Sequence, residues 1–478
     1  MPDRFEKALS RLQELSYIER IGSHCDNTLV GVLYELLVGE LVHSDKEWWF
    51  FEEGTWQKDG GEYLWNVITE TFVYYLRNEI PQGSIPVNDI VRYLGSSTAT
   101  FRLIKALSYK LGDPSFVGKL DSTVGLLGMK NGTYDINSNT FRKAISSDYI
   151  SLSCGVKYTT KHKDEHLVEF MKILKQIFPR DDVLDFFMRS CTSMLEGYNK
   201  HKVFYVWWGK GNNAKTLMQR FISSILGDYS VCLSTSLITG KRASSSNATP
   251  DIQYTKNKLA VFLQEPNPEE KIQVGRIKEL TGNDKIYTRG LFKSSESMEF
   301  RAKIVVVANN ALEVPGMDVP FRRRIVVIPF ESTFTNSTDN GEYVFSEDVE
   351  MEEKIFKYRE IFMAMILDEY PRFVKEGLNI PQYIKDKTSE YITLNNYVLK
   401  FIRTKLSHKP GVKFPALSLY ASFKSWFWRS CPGRSVPLFV SFLTELRNEG
   451  YEDSHGDVLN VEVSWTDLEK ELIDSDDE

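Results

Sequence analysis

Residues 203–216 read VFYVWWGKGNNAKT. Val203 to Trp208 are apolar or aromatic, the pattern of a short strand buried on both faces. Gly209, Lys210, Gly211, Asn212, Asn213 and Ala214 follow as a glycine-containing turn. Lys215 and Thr216 then open a helical pattern through Leu217, Phe221, Ile222, Ile225 and Leu226. Strand, turn and helix in that order let backbone N–H groups wrap a phosphate. Lys215 would reach β- and γ-phosphates, the Thr216 hydroxyl would ligate Mg²⁺, and the helix N-terminus would add partial positive charge. One position departs from G-x-x-x-x-G-K-[ST]: Ala214 stands where the last glycine belongs. At positive φ that alanine costs about 1–2 kcal/mol, and at helical φ almost nothing. A glycine-lysine turn that binds no nucleotide is the competing reading.

The 478 residues are too many for one core and predict about two to four domains. At 42% hydrophobic and 26% charged the chain is ordinary globular material. No apolar run approaches a membrane span, so no membrane partner is expected, and Met1-Pro2-Asp3 does not begin a signal peptide. Cys25, Cys154, Cys191, Cys232 and Cys431 form no C-x-x-C pair, which argues against a zinc site or disulfide framework and for a reducing compartment. A net charge of −6 would disfavour nucleic acid if it were evenly spread, and it is not.

Residues 1–110 read mostly helical, with amphipathic patterns at Leu9, Leu12, Leu15 and Tyr17, at 29–41 and at 65–76. Between helices, EWWFFEEGTW (47–56) reads as a hairpin turning at Glu53-Gly54. Its aromatics suit a core, with base stacking the alternative. GLLGMKNGTYD (125–135) and the following residues to Lys143 read as a β-meander with Asn-Gly and Ser-Asn turns. Residues 164–197 return to helix, with Leu167, Phe170, Met171, Leu174 and Ile177 on one stripe and Leu184, Phe187, Met188 and Cys191 on the next. Residues 240–250 are a polar, Ser-rich loop.

Three more buried strands follow the turn. KLAVFLQE (258–265) ends in Glu265, an acid at a strand tip that suits water activation or Mg²⁺ placement, where a surface glutamate is the plain alternative. RAKIVVVANN (301–310) ends in two carboxamides, of which Asn310 would hold the lytic water or sense a γ-phosphate. FRRR (321–324) precedes the apolar run 325–330. Those arginines read as a solvated edge or as a finger offered to a neighbouring subunit. In 276–293, Lys285, Arg289 and Lys293 flank Tyr287 and Phe292, a hairpin that is either solvated or suited to phosphate contact with base stacking.

Taken in order, GKGNNAKT, VFLQE, ELTGNDKIYTRGLFK, VVVANN and FRRRIVVIPF resemble the superfamily 3 helicases, and more closely the poxvirus and phage primase-helicase branch of large DNA viruses. The similarity covers roughly 30–470. It implies an α/β fold: a P-loop, AAA+-like ATPase core with an N-terminal helical/β domain and a small C-terminal winged-helix-like domain. The implied boundaries are 1–110 helical, 111–197 meander and collar, 198–335 ATPase, 336–390 helical lid, 391–465 basic domain and 466–478 acidic tail. By resemblance Lys215 and Thr216 match the Walker A pair. Glu265 matches the Walker B acid and joins Thr216 on Mg²⁺, although Gln264 stands where some relatives have a second acid. Asn310 matches the sensor and Arg323 the finger, with Arg322 and Arg324 as alternates. Lys285, Arg289 and Lys293 fall in the pore hairpin. The family works as a hexameric ring with ATP and Mg²⁺, the finger acting in trans, on single-stranded or forked DNA.

From Tyr391 to Thr444 there is no acidic residue, while Lys400, Arg403, Lys405, Lys409, Lys413, Lys424, Arg429 and Arg434 interleave with aromatics. That one-sided charge fits a nucleic-acid patch, and a protein-interaction domain is the alternative. Residues 417–427, 437–448 and a strand pair at 451–465 suggest a winged-helix-like module. Residues 445–478 are acidic and end DSDDE, the composition of a disordered tail. The function expected is an ATP-dependent DNA helicase of viral genome replication, in the host cytoplasm, with a primase domain or other replication proteins as partners. A duplex-melting or packaging motor, or a non-hydrolysing DNA-binding scaffold, are the rivals.

Overall fold

The computed structural model describes residues 26–80, 85–240, 250–264, 270–289, 295–310, 314, 317–336, 341–394, 396–432, 435–454 and 456–464. The acidic tail, the first helical pattern, most of the Ser-rich loop, Glu265, Lys293 and Arg434 lie outside them. Two compact units divide the chain, Met1–Thr159 and Thr160–Glu478. The meander therefore goes with the N-terminal helices, and the helices after 164 go with the large sheet. No helix among the described residues is long and apolar enough to cross a membrane.

In the N-terminal unit, α1 (Asp26–Leu37) leads into an antiparallel sheet of β1 (Leu41–Ser44), β2 (Glu47–Glu52) and β3 (Thr55–Asp59). Glu53 and Gly54 both take positive φ, which matches the twist of the β2–β3 hairpin. Trp48, Trp49, Phe50 and Trp56 are buried, so this aromatic cluster is core. A helical run follows as Glu62–Asn66, a π-helical segment Val67–Phe72, and Val73–Asn78. Then come α2 (Val87–Leu94) and α3 (Ser97–Lys110). The meander is β4 (Leu126–Met129), β5 (Gly132–Asp135) and β6 (Thr140–Arg142), paired in that order.

The second unit is built on a five-stranded parallel sheet. Helices α4 (Asp164–Ile177) and α5 (Asp181–Met194) precede it. Phe170, Leu174 and Ile177 are buried as expected, while Leu167 is largely exposed. The strands are β7 (Phe204–Trp208), β8 (Ser230–Leu233), β9 (Ala260–Leu263), β12 (Lys303–Ala308) and β13 (Ile325–Pro329), in the order β13-β7-β12-β9-β8. Helix α6 (Lys215–Leu226) joins β7 to β8. Between β9 and β12 lie α7 (Val274–Thr281) and the antiparallel hairpin β10 (Lys285–Arg289) and β11 (Ser295–Glu299). Every residue of β9, β12 and β13 is buried, as a parallel sheet covered on both faces requires. The edge strand β8 escapes sequence reading because SVCL is half-exposed and lacks an apolar run.

After β13 the chain forms a short helix Met351–Phe356, α8 (Arg359–Glu376) and α9 (Gln382–Leu394); the single helix expected over 351–375 is broken at Lys357 and Tyr358. The last module runs α10 (Tyr397–Lys405), strand Leu406–Pro415, α11 (Ala416–Ser430), α12 (Phe439–Asn448) and strands Asp453–Ser454 and Asp457–Val463. Its sheet places Asp457–Val463 between the other two. Strand Leu406–Pro415 was not anticipated, since LSHKPGVKFP carries proline, glycine and little alternation.

Two buried ion clusters hold the second unit. Arg189 on α5 has a side chain only 1% exposed and donates to Glu376 at 3.0 Å, Glu369 at 3.2 Å and the Gly377 carbonyl at 3.3 Å, tying α5 to α8. Removing the guanidinium empties a buried site and leaves Glu369 and Glu376 to Arg372, so Arg189→Ala is expected to cost about 3 kcal/mol in urea unfolding, and Arg189→Met, which keeps the stem packing, less. Lys303 at the start of β12 lies 3.5 Å from Glu196, both nearly inaccessible. Burial pulls its ammonium from 10.5 down to about 8, against the opposing pull of Glu196. Between those values the unfolded chain binds more protons than the folded one, so stability rises with pH there. Unfolding measured across that window is expected to show the rise, and Lys303→Met to flatten it.

Candidate functional site

The turn after β7 is fixed by close backbone approach. A Cβ at Gly209 would lie 2.0 Å from Asn213 Nδ2 and 2.5 Å from the Phe330 carbonyl oxygen, so only glycine fits. Asn213 Nδ2 donates to that same carbonyl at 3.2 Å. The Phe334 amide donates to the Asn212 carbonyl at 2.7 Å. The turn is therefore anchored to the chain leaving β13. Gly211 has φ +107 and Asn212 φ +45.

Ala214 takes φ 61 and ψ 12, the left-handed conformation, immediately before α6. The condition under which alanine is costly is the one that holds. Glycine in its place would relieve about 1–2 kcal/mol of steric strain and return about 0.4–1 kcal/mol as unfolded-chain entropy.

Lys215, the first residue of α6, is 5% exposed. Its ammonium donates to the Gly209 carbonyl at 2.8 Å, Asn213 Oδ1 at 2.7 Å and Asn309 Oδ1 at 2.9 Å. A buried ammonium needs such acceptors, because desolvation without them is prohibitive. A cavity of about 690 Å³ opens here, lined by the turn from Gly211 to Thr216 and by Gln219, Gln264, Val307, Ala308 and Asn309. Thr216, the second residue of α6, is exposed and lines it.

Of the two carboxamides at the tip of β12, Asn309 reaches Lys215 and lines the cavity. Asn310, the sensor by resemblance, is exposed as Asn309 is, and does not line this cavity among the described residues. The difference is one residue of register, which motif order alone cannot resolve. Gln264 lines the cavity at the end of the β9 segment, and Glu265 lies outside the described residues.

The three arginines before β13 separate clearly. Arg322 is 12% exposed and pairs with Glu445 on α12 and, at 2.8 Å, with Glu449 at the C-terminal cap of that helix. Burial lowers its pKa, with Glu449 opposing. Arg324 buries its Nε, which has no hydrogen-bond partner among the described residues. Arg323 is exposed. The segment is positioned from its other side by Asp318, which caps the Phe321 amide at 2.9 Å and pairs with Lys278 on α7.

On the β10–β11 hairpin, Lys285 and Tyr287 are exposed while Ile286 and Thr288 are buried. Arg289 ends β10, and its side chain lies outside the described residues. In the last module Lys400, Lys409, Lys413 and Arg429 are exposed and Lys405 half-buried. Lys424 sits over the Tyr420 and Trp428 rings at 5.3 and 6.0 Å. Arg403 is engaged internally: it donates to Ser389 and Thr393 at 2.8 Å each and pairs with Glu449 at 3.3 Å, tying α10 to α9 and α12. It is a weaker DNA candidate than its charge suggests.

The turn geometry gives a direct test. Ala214→Gly is expected to raise the unfolding free energy by up to about 1.6 kcal/mol, the balance of strain relief and chain entropy. Urea denaturation at neutral pH measures it, and a loss of stability would contradict the left-handed assignment.

Comparison with known proteins follows the same line. Residues 33–179 match the family model described as D5 N terminal like. Over 418 residues, 81% of the chain, it is 26% identical to "Putative helicase L207/L206" of Acanthamoeba polyphaga mimivirus. Over 422 residues, 82% of the chain, it is 26% identical to "Putative helicase 121R" of Invertebrate iridescent virus 3. Over 347 residues, 68% of the chain, it is 22% identical to "Putative primase C962R" of African swine fever virus. The aligned parts cover 44%, 44% and 35% of those proteins, so the chain spans less than half the length of these relatives. The family resemblance carried by the motif order is borne out: the chain is a relative of the proteins named helicase and primase in large DNA viruses, with a D5 N terminal like domain at residues 33–179.

Proposed function

We propose that this chain is an ATP-driven DNA helicase motor of viral genome replication. The observation that carries the reading is the buried Lys215 ammonium at the start of α6, on the wall of a cavity edged by a glycine-containing turn. The triphosphate of ATP would lie along residues 209–215, with turn amides and the α6 N-terminus on its oxygens and Lys215 on the β- and γ-phosphates. Thr216 and Glu265 would hold Mg²⁺, which neutralises charge on the phosphate oxygens. Asn309, not Asn310, would orient Lys215 and meet the γ-phosphate. Glu265 would accept a proton from the water that attacks the γ-phosphorus as ADP leaves. Arg323, the exposed arginine of the triplet, would complete a neighbouring subunit's site in a hexameric ring. Lys285, Tyr287 and Arg289 would grip one DNA strand, and the cations around Lys400, Lys424 and Arg429 would hold the fork through the winged-helix-like module.

The left-handed Ala214 supports one rival, a scaffold that binds DNA through 391–444 and, with a strained turn, turns over no ATP. ATP hydrolysis with and without single-stranded DNA separates the two. The motor is expected to hydrolyse ATP faster with DNA and to lose about 10²–10³ of that rate in Lys215→Ala. Asn309→Ala, which removes one charge-assisted hydrogen bond, is expected to lose about tenfold or more, and Asn310→Ala little. An unmodified chain that hydrolyses nothing until Ala214 becomes glycine would favour the scaffold.

A further inference from the structure

Helix α3 in the N-terminal unit buries Ala99, Thr100, Leu103 and Leu107. Its outer face carries Phe101 and Tyr109, 63% and 74% exposed. Arg102 and Lys105 stand exposed between them, and the helix, STATFRLIKALSYK, ends in Lys110 with no acidic residue along Ser97–Lys110. Positions 101, 105 and 109 are four apart and therefore share one side of the helix. At 1.5 Å per residue the outer two are separated by about 12 Å.

The rings are not loose. Phe101 leans on Trp65, with centroids 5.1 Å apart. Lys105 Nζ lies 5.1 Å from the Tyr109 ring centroid. Arg102 is partly engaged, 5.8 Å from the Tyr93 ring and 3.9 Å from Asp26. Lys105 has no ion pair among the described residues. Two large rings left in water contribute nothing to the core, and the cations between them fit an anionic occupant rather than an apolar one. Exposed π-faces alternating with cations are what single-stranded nucleic acid requires: bases stack on rings and phosphates meet ammonium groups. About 12 Å spans three to four base steps at about 3.4 Å each. A duplex hides its base faces and would gain only from the charges.

We propose that the outer face of α3 is a single-strand nucleic-acid contact in the N-terminal unit, with Phe101 and Tyr109 as stacking platforms and Lys105 on the backbone. It does not depend on nucleotide at Lys215. Fluorescence anisotropy of the whole chain with labelled oligothymidylate, without ATP, tests it. The double variant Phe101→Ala, Tyr109→Ala is expected to bind about tenfold more weakly, while Phe101→Trp, Tyr109→Trp keeps the affinity. Lys105→Gln is expected to reduce the salt slope by about one. Thermal unfolding of each variant checks that the fold is intact. Photocrosslinking of a bromodeoxyuridine oligonucleotide is expected to label the peptide holding 101–109. Unchanged affinity in the alanine variant, with no crosslink to that peptide, would overturn the proposal. So would equal loss on duplex of the same length, since stacking would then not be the mode.

Discussion

A lysine ammonium taken out of water must be given acceptors, and at Lys215 that requirement organises the centre of the molecule. Its acceptors come from the end of β7, from the turn and from the tip of β12. The three meet only if β7 and β12 are parallel neighbours, as the register of Val305–Ala308 against Tyr205–Trp208 provides. Asn213 adds the third strand by donating to Phe330 just beyond β13. One side chain thus depends on three strands, a turn and a helix start, and the cavity beside it follows from the same arrangement.

The rest of the second unit is connected to this centre by charge. Arg189 ties α5 to α8, and Lys303 ties the start of β12 to Glu196 after α5. Lys278, Asp318 and Arg322 link α7, the arginine segment and α12 in one chain of ion pairs. The segment that carries Arg323 is therefore tied to α7 on one side and to the terminal module on the other.

Much of this was legible in the residues. The four apolar strands of the sheet declare themselves by runs such as VVVA and FYVWW, and the aromatic hairpin by its Glu53-Gly54 turn. Strand Ser230–Leu233 and strand Leu406–Pro415 were not legible, because tertiary pairing rather than local pattern makes them strands. At the site, the turn and Lys215 follow from composition and spacing. The contact of Asn309 with Lys215 does not, since which of two adjacent carboxamides reaches the lysine is set by how β12 ends. Arg322 and Arg403 look like free cations in sequence, and only the distant glutamates of α12 show that they are engaged. The sign of φ at Ala214 is likewise invisible in sequence and decides whether the alanine is strained.

The central claim is that residues 209–215 cradle the phosphates of a nucleotide. The most direct measurement is a crystal or cryo-electron microscopy structure of the chain with Mg²⁺ and a non-hydrolysable ATP analogue. The account predicts the β- and γ-phosphate oxygens within hydrogen-bond distance of Lys215 Nζ and the turn amides, with Asn309 beside the γ-phosphate. An analogue bound elsewhere, with Lys215 still held by Gly209, Asn213 and Asn309, would contradict it.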